Sequence, residues 1–255
     1  MSQIGVANQF VELVRTVKTE TDLFLLMEQI TREIGFQYFA LINHADLRNA
    51  SPGIIQINNY PPSWAESFIE NGLYAYDPVL LASLSRAVGF TWSDVPAMIE
   101  MTRKQRAILE DAAKHGLGDG YTVPAHIPGE IGGSCSFAVR SGTQIHASNL
   151  LIAQIVGAFA FQAARRLNQI DSPQRQRLRR LTPRQRDCLL WAIKGKTDWE
   201  IGQILGLNEE TVSRHLDMAR ERYGVTKRLP LAVHAIFDGQ ISFIEALAWQ
   251  LPLKR

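Results

Sequence analysis

At 255 residues the chain exceeds the roughly 100 to 200 residues of a usual single domain, so one larger and one smaller domain are expected. A composition of 46% hydrophobic and 20% charged residues, with no internal repeat, excludes a disordered, low-complexity or fibrous chain. The net charge of +2 conceals an asymmetry: residues 1–164 hold 10 Lys or Arg against 15 Asp or Glu, and the remaining residues hold 17 against 10. An acidic body with a basic tail points either to a tail that meets a polyanion or to a solvated helical face.

The opening "MSQIGVANQF" lacks the basic stretch and apolar core of a secretory signal, so export is not expected. Ala7, Phe10, Val11, Val14 and Val17 follow helical spacing, as do Leu23, Leu26, Met27, Ile30 and Ile34. The runs "FQYFALINHA" (36–45) and "GIIQINNY" (53–60) predict strands. After "YPP", Ser63 and Glu66 have capping-box spacing and Gly72 suits a helix stop. Thr102 and Gln105 repeat that signature before a helix reaching about His115, and "YTVPAHIP" and "GGSCSFAVR" predict two more strands. The longest apolar run, 150–164, is interrupted by Gln154 and Gln162 and falls short of the roughly 20 residues of a membrane span. It predicts a core helix from Ala147 to Leu167. Too few helices separate the paired strands for a parallel sheet, so the front domain is expected to be an α/β/α sandwich around an antiparallel sheet.

Arginine-rich polar sequence around "DSP" (171–173) marks a linker at 169–180, dividing residues 1–168 from 181–245. The tail is helical throughout. Pro183 to Lys194 forms one helix, ended by Gly195; "TDWEIGQILG" forms the next, with Thr197 and Glu200 as a capping box. Asn208 caps a third, in which Val212, Leu216 and Ala219 face inward and Gly224 stops it; a fourth runs from about Leu231 to Phe237. The fold class is therefore α+β, with a small four-helix tail.

Two short helices joined by the turn "GLN" have helix-turn-helix geometry, in which the second helix enters the major groove. Its outward residues are Glu210, Ser213, Arg214 and Asp217. Arg214 suits a bidentate pair with guanine, Ser213 a base or phosphate, and Asp217 a cytosine amine, with Thr211 beside them. Lys194, Lys196, Arg220, Lys227 and Arg228 are placed to meet phosphates.

In the front domain "NNYPPSWAESFIENGLYAYDPVL" (58–80) gathers aromatic residues around one acid, Asp77. Two readings stand: Asp77 caps a helix that has Pro78 at its first position, with Trp64 and Phe68 as plain core; or Asp77 is a polar anchor in an apolar pocket. Enzyme chemistry finds no support. "GGSCSF" is not a GxSxG elbow, no His and Asp pair with Cys135 or Ser134, and the six histidines make no metal pattern. Two cysteines without CxxC spacing fit a reducing cytoplasmic setting.

"LTPRQRDCLLWAIKGKTDWEIGQILGLNEETVSRHLDMARERYGV" resembles the helix-turn-helix of LuxR-type transcription regulators, with Gln185 and Gly202 where glutamate and alanine are usual. "NYPPSWAESF…AYDPV…FTWSDV…HGLGDGYTVP…GGSCSFAV" resembles the autoinducer-binding domain of the same family, through Tyr60, Trp64, Asp77, Pro78, Trp92 and Gly120. The resemblance implies a quorum-sensing regulator that binds an N-acyl- or aryl-homoserine lactone and, as a homodimer, double-stranded promoter DNA, with RNA polymerase as a further partner and no membrane, cofactor or metal. It implies ligand contacts from Tyr60, Trp64, Phe68, Asp77, Trp92 and Cys135, and DNA contacts from Lys196, Thr211, Ser213, Arg214, Asp217 and Arg220. A regulator of the same build that answers another small molecule, or none, is the alternative.

Overall fold

The computed structural model describes residues 3–49, 54–127, 130–168 and 180–247. The chain divides into two compact units with the break after Ile170. Of the expected linker only Arg180 lies among the described residues.

The first unit is built on a five-stranded antiparallel sheet: β1 (Tyr38–Asn43), β2 (Gln56–Asn58), β3 (Phe90–Thr91), β4 (Leu117–Ala125) and β5 (Gly133–Arg140), in the order β2-β1-β5-β4-β3. The two-residue β3 was not expected from sequence, since a pair of residues carries no alternation to detect. β1 pairs with β5 through Leu41 and Cys135, and β4 with β5 through Val123 and Cys135. A side-chain period of two then sorts β5 between the faces: Cys135, Phe137 and Val139 on one, Ser134, Ser136 and Ala138 on the other.

On the first face lie helices α1 (Gln3–Thr16), α2 (Glu20–Glu33) and α7 (Ala147–Leu167). Their apolar stripes meet the sheet in one core that holds Phe10, Met27, Phe39 and Phe137. α7 is long and apolar enough by composition to cross a membrane, but Ile152, Val156, Ala160 and Phe161 are buried on the sheet. It approaches so closely that a Cβ at Gly157 would lie 2.8 Å from Val123.

On the second face lie α3 (Pro62–Glu70), α4 (Pro78–Ser83), α5 (Val95–Met98) and α6 (Arg103–Lys114). α6 opens on the expected capping box of Thr102 and Gln105. The box expected of Ser63 and Glu66 does not form: α3 begins earlier, with Pro61 as its N-cap and no side-chain cap bond. Pro62 at the first position has no N–H to satisfy, and its fixed φ sets the first turn instead.

The second unit contains α8 (Pro183–Ile193), α9 (Asp198–Leu205), α10 (Glu209–Tyr223) and α11 (Arg228–Phe237) around Leu189, Ile201, Val212, Leu216 and Leu231, each fully buried. A short fifth helix, α12 (Phe243–Leu247), is pinned to α8 by the Arg186–Glu245 ion pair. Gln185, fully buried, completes a capping box with Thr182, doing by hydrogen bonding what a glutamate would do with charge. Thr197 with Glu200 caps α9, Asn208 caps α10, and Gly206 and Gly224 take the left-handed conformation that ends each helix.

Candidate functional site

Between the second sheet face and α3, α4 and α6 lies an apolar pocket of about 710 Å³, counted with its opening to solvent. Its floor is the sheet, through Ala40, Ile42, Gln56, Asn58, Ser134 and Ser136; its cover is Tyr60, Trp64, Phe68, Asp77, Val79 and Trp92. Its apolar lining with a few convergent polar groups suits a small amphiphile.

Asp77 caps a helix, as one of its two readings expects, and it also stands in the pocket wall. Its Oδ1 accepts the Val79 N–H at 2.9 Å and so caps α4, while the carboxylate lines the pocket. Burial pushes its pKa up to about 7, against the lowering effect of the Val79 and Leu80 amides. An acid held this way gains from any further donor that reaches it.

Trp64 is buried and packs against Phe68, His115 and the pocket; its indole N–H makes no hydrogen bond among the described residues. Phe68 in turn meets Tyr74 edge-on at 6.4 Å. Trp92 is differently placed. Its Nε1–H donates to Thr122 Oγ1 at 2.9 Å, and Thr122 Oγ1 lies 2.8 Å from Ser136 Oγ. The Tyr60 hydroxyl lies near Ser136; burial, and then the nearby Asp77, raise its pKa, against the lowering effect of Ser136. A buried polar line therefore runs Trp92–Thr122–Ser136 beneath the pocket, with Tyr60 near its end, and hydrogen-bonded lines of this kind hold their members in one geometry.

Cys135 is a correction. It faces the opposite core, with Gly157 of α7 packed at its Cβ, and does not line the pocket. The polar residues that reach the pocket from β5 are its neighbours Ser134 and Ser136, which sequence reasoning passed over together with Gln56 and Thr122. The signal was present in "GSCSFAV": strict alternation puts both serines on one face and Cys, Phe and Val on the other.

In the second unit, Arg214 is exposed near the start of α10 with no partner among the described residues; Ser213 and Thr211 are half-buried beside it. The Thr211 backbone N–H is taken by Asn208 Oδ1 at 2.7 Å. Asp217 forms an ion pair with Arg220, whose Nη1 also donates to the Thr226 carbonyl at 2.9 Å. That pairing neutralises the acid on the outward face. Lys196 is held by Glu200 at 3.0 Å, Arg228 by Asp198 at 2.6 Å, and Lys194 lies over the Trp191 ring. Of the five expected phosphate contacts, Lys227 alone has no protein partner among the described residues.

The autoinducer-binding domain model matches residues 19–167, and the model for bacterial regulatory proteins of the luxR family matches 179–235. The chain belongs to the LuxR family of autoinducer-binding transcription regulators. The transcriptional activator LuxR of Aliivibrio fischeri is 27% identical over 95% of this chain and 97% of its own length. The quorum sensing-dependent regulator RpaR of Rhodopseudomonas palustris is 27% identical over 92% and 94%. A solved structure of SdiA in complex with octanoyl-rac-glycerol has a TM-score of 0.69 at 21% identity, covering 93% of this chain and 96% of that one. This LuxR-family chain is thus a ligand-responsive DNA-binding regulator rather than an enzyme, with a small-molecule site in the first unit and a helix-turn-helix in the second.

Proposed function

We propose that the pocket receives an N-acyl- or aryl-homoserine lactone and that its occupancy controls binding of promoter DNA by a homodimer. The observation that carries this is the convergence of an acceptor, a donor and a hydroxyl in an apolar pocket. Asp77 presents a carboxylate that lacks full solvation, Trp64 an unpaired indole N–H, and Tyr60 a hydroxyl near Ser136. These match an amide N–H, a lactone carbonyl and an amide carbonyl in turn. Trp92, its N–H already spent on Thr122, supplies the face on which the lactone ring packs, and Phe68 bounds the acyl side.

Ligand burial completes the second core of the first unit and stabilises the paired form. The exposed face of α7, which carries Leu151 and Phe159, is the surface assigned to pairing. A two-fold dimer sets two α10 helices on two half-sites, with Arg214, Ser213 and Thr211 toward bases and Lys227 toward phosphate; Lys196, Asp217 and Arg220 brace that surface and contact DNA at its edge. The regulator works in the cytoplasm and acts on transcription through RNA polymerase. The test is the thermal midpoint of the purified chain against a panel of acyl- and aryl-homoserine lactones. A ligand at about 100 times its dissociation constant adds roughly 2.7 kcal/mol. A shift with one member, lost in Asp77→Ala, supports the reading; no shift with any member, from folded protein, removes it.

A further inference from the structure

The pocket has a second polar end. Gln56 of β2 and Ser134 of β5 flank Ile42 of β1 in one row of the sheet, and all three line the cavity. This row lies two residues along β5 from Ser136, about 7 Å beyond the Tyr60–Ser136 contact where the amide carbonyl is placed. Alkyl contact alone would suit Ile42, but not its neighbours.

Gln56 is half-buried, and its side-chain amide makes no hydrogen bond among the described residues. Ser134 is buried, with its Oγ 3.1 Å from His44 Nε2. His44 is neutral: burial, and then the nearby His126, lower its pKa to about 4. Its Nδ1 is buried without a partner. A buried N–H left unpaired is rarer than a buried acceptor left unpaired, which puts the ring proton on Nε2, donating to Ser134 Oγ. The serine hydroxyl proton is then free for the cavity. A purely alkyl tail on this row would leave the serine donor and the glutamine amide unpaired.

Resting on the homoserine-lactone reading, we propose that the acyl group of the ligand carries a hydroxyl or carbonyl oxygen several bonds beyond its amide, received by Gln56 and Ser134. A hydroxyl there accepts from Ser134 and exchanges a hydrogen bond with Gln56. A carbonyl accepts from both.

The experiment compares N-hexanoyl-homoserine lactone with its 6-hydroxyhexanoyl counterpart by titration calorimetry on the full chain, in wild type, Gln56→Leu and Ser134→Ala. The wild type is expected to prefer the hydroxylated lactone by about tenfold. Gln56→Leu, and independently Ser134→Ala should the first fail to fold, reduce that preference to near unity while still binding the alkyl lactone. Equal affinities in the wild type, or a preference that survives in both variants, overturn this inference alone. Failure of folded wild type to bind either lactone overturns the homoserine-lactone reading, and this inference falls with it.

Discussion

The indole of Trp92 lies against Gly120 so closely that a Cβ there would sit 2.4 Å from its Cε2. The ring cannot retreat without releasing the Nε1–H bond to Thr122 at 2.9 Å, to which Ser136 is linked in turn. Gly120→Ala is therefore expected to cost about 1–3 kcal/mol by overpacking and to weaken ligand binding at least tenfold. Denaturant midpoints and ligand titration check this; unchanged binding would separate the polar line from the pocket.

Asp77 holds two roles that two substitutions separate. Asp77→Asn retains an oxygen for the Val79 N–H and so keeps the α4 cap, but it presents an amide to the ligand. Asp77→Ala loses about 1 kcal/mol of cap as well. Both are expected to lose ligand affinity, and Asp77→Ala alone to lose cap stability, by thermal unfolding without ligand.

The same acid sets a pH dependence. Its folded pKa of about 7 stands above the ordinary carboxylate value of 3.8, so between about pH 4 and 7 the folded state binds more protons than the unfolded one. Stability from this group is then present at the acid end and declines as pH rises through that window. Urea midpoints at several pH values should show the decline in wild type and not in Asp77→Asn. A ligand N–H favours the charged form, so ligand affinity is expected to climb over the same range.

On α10, Arg214 and Arg220 should behave differently despite like charge. Arg214 is exposed and unpartnered, so Arg214→Ala is expected to cost about 1–3 kcal/mol of binding and to relax preference at one base pair. Arg220 ties Asp217 and the Thr226 carbonyl, so its loss should lower the melting temperature of the unit as well. Competition binding on variant sites, read beside thermal melts, distinguishes them.

Gly202 supplies a further test. Helix propensity alone predicts that Gly202→Ala stabilises α9 by about 1 kcal/mol. A Cβ there would stand 2.6 Å from the Leu207 carbonyl oxygen, however, and that turn also returns the Leu207 N–H to the Gly202 carbonyl. Because the obstacle is backbone, the clash prevails and a net loss of roughly 1 kcal/mol is expected in chemical denaturation. A net gain would show the turn to be free to shift.

Much of the fold is legible in the sequence. The helical stripes of Phe10, Val14, Leu23 and Met27, the capping boxes at Thr102 and Thr197, and the glycine stops at Gly206 and Gly224 are local facts: spacing and cap chemistry act within a few residues. The aromatic cluster around Asp77 likewise announced itself, because "WAESF" and "AYDPV" are short stretches whose spacing survives folding. Tertiary structure decided the remainder. Which face of β5 meets the pocket depends on its register against Leu41 and Val123, and a one-residue shift exchanges Cys135 for Ser134 and Ser136. That Trp92 spends its N–H on Thr122, that Gln56 and Ser134 share a row across Ile42, and that Arg220 neutralises Asp217 are juxtapositions of chain segments or of side-chain rotamers. Sequence determined the elements and the residue types of the site. Strand register and packing decided which of those residues face the ligand, because a side chain's neighbours across a sheet are set by pairing partners far away along the chain.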